Sequence, residues 1–169
     1  EIGFGISHYI AFMNPFPLLP NHVVIASPTH RTQELMLFHD NEQNQELALM
    51  LNDLCELAKR LPNYIGFYNG VGAGASIPGH FHFQFFQRAP DLPQFPLEER
   101  NFSDVGCDST TTLVENYPIQ VFKWTGELDE VVATATAWIT NFVETSEYER
   151  QQLTANFIAT KSRTPKGVA

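Results

Sequence analysis

The sequence is short of cysteine, of basic residues and of long apolar runs, and each shortage closes off a class of function. Its 169 residues include two cysteines, Cys55 and Cys107, far apart and with no CxxC pair. No thiolate zinc site of the usual spacing can be written from them. Ten Lys and Arg stand against nineteen Asp and Glu, for a net charge of −9. A duplex nucleic-acid binder presents a basic face, so nucleic acid is not an expected partner. Exposed charge is screened beyond about 8 Å at physiological salt. A small phosphate-bearing ligand therefore stays compatible with the acidic total, because the local charge of its pocket decides. No run approaches the roughly 20 apolar residues that a membrane helix needs, and no secretory signal is visible. With so few cysteines this suits a reducing cytosol, and a cytoplasmic location is expected. The chain opens on Glu1 inside a strand-like stretch, so further N-terminal residues are expected to precede it. It has no internal repeat and no low-complexity segment.

What is present reads as one folded domain over residues 1–169. Hydrophobic residues make up 43% and charged residues 17%, a globular rather than a disordered balance. Residues 2–12 read as a strand interrupted by glycine. Asn14-Pro15-Phe16-Pro17 is a turn, because two prolines fix φ and remove donors. Residues 22–27 form a short β-branched strand ended by Pro28. Residues 41–61 predict a helix, with Leu47, Met50, Leu51, Leu54, Ala58 and Leu61 on one face at helical spacing. Asp40 and Gln43 suit its start, and Pro62 its end. Cys55 falls on the apolar face as a small core residue. Residues 64–68 and 80–87 are strands on either side of a glycine-rich turn, Asn69 to Ser76. Residues 89–117, with Pro90, Pro93 and Pro96, read as irregular. They are either an ordered excursion over a pocket or, more plainly, a long surface loop. A strand over 118–124 and a helix over 128–144 follow, the helix with Val131, Ala135, Trp138, Ile139 and Phe142 on one side. Ser146 and Glu149 suggest a cap for a short third helix, and 156–160 a last strand. Short connections between neighbouring strands favour an α+β fold, an antiparallel β-sheet with helices packed on one face.

The chemistry concentrates in residues 69–84. Alternation along a strand puts His80, His82 and Gln84 on one face and Phe81, Phe83 and Phe85 on the other. The phenylalanines can anchor the strand while the polar row stays available. Upstream, Gly70, Gly72 and Gly74 let backbone N–H groups close around an anionic oxygen. Asn69 and Ser76 add side-chain donors there. Each half has a plainer reading, the HxH as a structural pair and the glycines as a flexible connection. A metal is a further alternative, with His80 and His82 as two ligands and His22, His30 or His39 as the third.

Taken together these segments resemble the histidine-triad superfamily, and more closely its transferase branch, which carries HxHxQ where the hydrolase branch carries HxHxH. His80, His82 and Gln84 match that motif. Asn69 through Ser76 match the upstream Asn-x-Gly…Gly-x-Ser pattern. Asn14–Pro17, His22–Ser27 and His30 match a second family segment. The resemblance covers about residues 14–87, and 118–161 fit more loosely. It implies a HIT-like fold and a nucleotidyltransferase or phosphorylase that works through a nucleotidyl-histidine. His82 would be the nucleophile, supported by His80, with Gln84 on the transferred phosphoryl oxygens. Asn69, Gly74 and Ser76 would hold non-bridging oxygens, and His22 and His30 would shape the edge of the pocket. The implied partners are a nucleotide-sugar or dinucleoside polyphosphate and a phosphate or sugar-phosphate acceptor. No resident metal or tightly held cofactor is implied, although a divalent cation could arrive with the nucleotide. A hydrolase on the same fold and a non-catalytic nucleotide-binding module remain alternatives. Two departures are visible. Four steps separate Ser76 from His80 where the family has three, and the zinc-ligand cysteines of many uridylyltransferases are absent.

Overall fold

The computed structural model describes residues 2–4, 7–34, 41–89, 96–99, 102–103, 111–114, 117–147 and 153–161. Several expected features lie outside them: the Asp40 cap, His39, Pro90 and Pro93, Cys107 and the Glu149 half of the third-helix cap.

The main sheet is antiparallel, with six strands. The stretch read as one N-terminal strand is two, β1 (Ile2–Phe4) and β2 (Ser7–Met13), paired with each other. Next come β3 (Val23–Ala26), the helix α1 (Asn41–Arg60), β4 (Tyr64–Asn69) and β5 (His82–Gln87). A final strand, numbered β9 for its place in the chain, spans Asn156–Ala159. The spatial order is β1-β2-β3-β5-β4-β9. β5 therefore runs through the middle, hydrogen-bonded to β3 on one side and β4 on the other.

The apolar stripe of α1 explains why it folds onto this sheet. Leu47, Met50, Leu51, Leu54, Leu57 and Ala58 are all buried, against Ile25, Tyr68, Phe81, Phe83 and Phe85. Phe83 and Phe85 are wholly inaccessible. Each such side chain stabilises the fold by about 2 kcal/mol through burial alone. Cys55 packs beside them, and burial pushes its thiol up to about 11.

The region read as irregular carries structure of its own. It contains a short helix α2 (Pro96–Glu99) and the strands β6 (Phe102–Ser103) and β7 (Thr111–Val114). With β8 (Phe122–Trp124) they make a second, three-stranded antiparallel sheet in which β7 is central, paired with β6 on one side and β8 on the other. The expected strand over 118–124 is thus shorter and belongs elsewhere. The reason is packing: α3 (Leu128–Thr145) sets Trp138 against Phe122, Trp124 and Phe142, with centroids 4.0, 5.8 and 5.2 Å away. Trp124 Nε1 donates to Thr111 Oγ1 at 2.9 Å. On its other side α3 packs on α1.

Candidate active site

Strand register fixes which residues share the open face of the sheet. Directly paired residues project to the same side. Ile10, Ala26 and His82 therefore form one row. Phe12, Val24, Gln84, Phe67 and Ile158 form the next. Phe12 and Ile158, at the ends of that second row, are about half exposed. The opposite face holds Ile25, Phe83 and Phe85 under α1. The expected alternation holds for His82 and Gln84. It does not extend to His80, which precedes β5 in a turn where its N–H donates to Ile77 O at 3.4 Å. The four steps from Ser76 to His80 run through that turn.

Two imidazoles near the strand, those of His82 and His80, are each fixed by a backbone acceptor. His82 Nδ1 lies 2.8 Å from the backbone oxygen of His80. A carbonyl only accepts, so Nδ1 carries the ring proton and Nε2 keeps its lone pair in the neutral ring. His82 is buried, and its Nε2 makes no hydrogen bond among the described residues. What supports the ring is thus the main chain of His80. The His80 imidazole is engaged elsewhere, Nε2 donating to Ser27 O at 2.8 Å. His30 is exposed at the rim, 6.2 Å from the His80 ring.

His22, which the resemblance puts at the pocket edge, is 1% exposed and lies beside Gln84, with its ring 6.0 Å from that of Phe67 in the same row. The N–H of Leu18 donates to its Nδ1 at 3.2 Å, so the ring proton sits on Nε2. That Nε2 donates to Gln84 Oε1 at 2.9 Å. With its oxygen held by His22, Gln84 turns its NH₂ group away from that bond, as a donor. The Asn14–Pro17 turn holds His22 in turn. Asn14 Oδ1 accepts from Phe16 N–H, and Asn14 N–H donates to His22 O, both at 2.9 Å.

The glycine turn leaves the end of β4 and is tied to the far end of the chain. Gly70 N–H donates to Ala155 O at 3.1 Å, and Thr154 Oγ1 donates to Val71 O at 2.6 Å. A Cβ on Gly70 would come within 2.6 Å of Ala155 O, so only glycine fits. Gly72 and Gly74 have φ of 80° and 107°, the left-handed region that glycine occupies freely. Gly74 and Ser76 are exposed and Asn69 half-buried. Among the described residues, the Asn69 and Ser76 side chains make no hydrogen bond.

Two residues at the site carry no signal in the sequence. Gln33, wholly buried, accepts from His82 N–H through Oε1 at 2.8 Å and donates through Nε2 to His82 O at 2.9 Å. Tyr68 donates its hydroxyl to Gln33 O. Neither belongs to a motif. Among the described residues no group of three or more His, Cys, Asp or Glu side chains is placed to hold a metal ion.

Residues 2–87 match the family model described as a domain of unknown function, DUF4922. The chain belongs to the DUF4922 family. No curated protein matches its sequence. Among solved structures its fold is similar to yeast Ap4A phosphorylase Apa2 in complex with AMP, at a TM-score of 0.54 and 19% identity. It is similar to the same yeast enzyme in complex with Ap4A, at 0.50 and 18%. Each alignment covers 94% of this chain and 55% of the other. The chain thus spans about half the length of the structures it resembles. At this identity the likeness shows a HIT-like α+β fold. The DUF4922 segment contains His22, His30, Gln33, the glycine turn and the HxHxQ strand, whereas Thr154 and Ala155, which tie the turn, lie beyond it.

Proposed function

We propose that this DUF4922 protein transfers a nucleotidyl group through a covalent bond to His82 Nε2. The favoured substrate is a dinucleoside polyphosphate or a nucleotide-sugar. The observation that carries this reading is the bond from His82 Nδ1 to the His80 carbonyl, which leaves a lone pair on Nε2. In the first step Nε2 attacks the α-phosphorus. A P–N bond forms, and the P–O bond to the leaving phosphate departs with its electron pair. In the second step an oxygen of inorganic phosphate or a sugar phosphate attacks the same phosphorus, and the P–N electrons return to Nε2. The Gln84 NH₂, the Asn69 and Ser76 side chains and the N–H groups around Gly74 supply donors for the charge on the phosphoryl oxygens. His30 stands at the edge of that path and His22 acts through Gln84. The fold similarity to a phosphorylase solved with AMP and with Ap4A supports the choice of substrate class.

The test is chemical. Incubation with Ap4A labelled in its adenylyl group should leave label on His82, located by peptide mass spectrometry. His82→Asn should remove label and turnover together; turnover at the wild-type rate in that variant removes the mechanism. Added inorganic phosphate should speed discharge of the label. Discharge at the same rate without phosphate assigns the chain to hydrolysis, and tight AMP binding with no adduct assigns it to a binding module.

A further inference from the structure

The backbone of His82 is held by a side chain where a strand should hold it. Phe81 O accepts from Ser27 N–H at 2.9 Å, so the peptide groups of Phe81 face β3. Alternation then turns those of His82 toward β4. Gly70 N–H faces β9, through Ala155 O, so the peptide groups of Asn69 face β5. The β4–β5 ladder ends at Phe67 opposite Gln84. Its next rung would pair Asn69 with His82. Instead both peptide groups of His82 go to the Gln33 amide, at 2.8 and 2.9 Å.

We propose that Gln33 is a positioning residue for the nucleophile, its amide replacing the absent rung and parting β4 from β5 where the glycine turn begins. A primary amide offers a C=O and an N–H side by side, as a peptide does. Its own backbone is pinned, with N–H donating to Pro78 O at 2.8 Å and C=O accepting from Tyr68. Completing the ladder would draw Asn69 onto His82 and close the space between the turn and Nε2. Gln33 keeps the two apart and still leaves no buried peptide group of His82 unpaired.

This rests on the nucleotidyl-transfer reading, and the experiment separates the two. Gln33→Met keeps the volume and removes both bonds. Per folded molecule, as counted by circular dichroism, its adduct formation from Ap4A should fall about 100-fold, the loss typical of a nucleophile misplaced by an ångström. Its affinity for AMP should change less than about 3-fold, because the phosphate donors are untouched. Exchange of the His82 amide hydrogen should quicken at least 10-fold. Wild-type adduct formation per folded molecule overturns the assignment. Should the methionine variant not fold, Gln33→Glu replaces it. Its acid form restores donor and acceptor, so adduct formation should return as pH falls from about 9 to 6, a burial-raised range for Glu; a rate that fails to return overturns the assignment. Absence of any adduct in the wild type sinks the transfer reading alone. The exchange measurement then decides for Gln33, and an unprotected His82 amide in the wild type rejects it.

Discussion

Gly66 shows how closely the core beneath the site is filled. A Cβ there would overlap the Phe85 ring and come within 3.2 Å of Leu54 Cδ1. Phe85 is wholly buried and has nowhere to move. Gly66→Ala should therefore destabilise the fold by about 2 kcal/mol, the usual magnitude for overpacking. A urea titration followed by Trp fluorescence checks this, and an unchanged midpoint contradicts it. At this scale the sequence was only partly legible. His82 and Gln84 announce themselves through alternation beside three phenylalanines. Gln33 does not, because its role depends on contact with a residue 49 positions away. Nor does His22 announce itself as the partner of Gln84, because that contact joins residues 62 positions apart.

Periodic elements were the most readable. The α1 stripe repeats over about four turns, so its buried face follows from spacing, and Pro62 marks its end. The second sheet was not readable. Its strands are two to four residues long. So short a strand has too few alternations to announce itself, and Trp138 supplies the order from a helix further along. The end of β5 is joined to α2 by a buried ion pair. Arg88 Nη1 and Nη2 each donate to the Glu98 carboxylate at 2.7 Å, with side-chain exposures of 3% and 17%. Breaking a buried pair from one side costs about 3 kcal/mol, because the remaining charge is stranded in the interior. Glu98→Gln should lower the urea midpoint accordingly. The double variant Arg88→Met, Glu98→Leu should be less damaged than the single one. A double variant weaker than Glu98→Gln would falsify that electrostatic account.

Across the molecule, Tyr68 connects the core to the site. It packs on Phe81, Phe83 and Phe157 and donates to Gln33. Burial pushes its phenol well above the ordinary tyrosine range; Arg31 opposes the shift and Glu34 adds to it. The sign follows by linkage. Above about pH 10 the unfolded chain gives up this proton while the folded chain keeps it. The stability is whole below that pH and drains away as pH rises toward the folded value. Urea midpoints should thus begin to fall as pH rises past about 10, and Tyr68→Phe should flatten the decline. An equal decline in the variant would assign alkaline unfolding to other groups.

The tie between the glycine turn and Thr154 spans 83 positions, and that between Gly70 and Asn156 spans 86. During translation the histidine strand is complete long before those partners exist. A chain halted short of Thr154 therefore holds the glycine turn only by its internal bonds, from the N–H groups of Ala73 and Ala75 to Gly70 O. Under the proposed nucleotidyl transfer, the turn takes up its final place only as the last strand emerges.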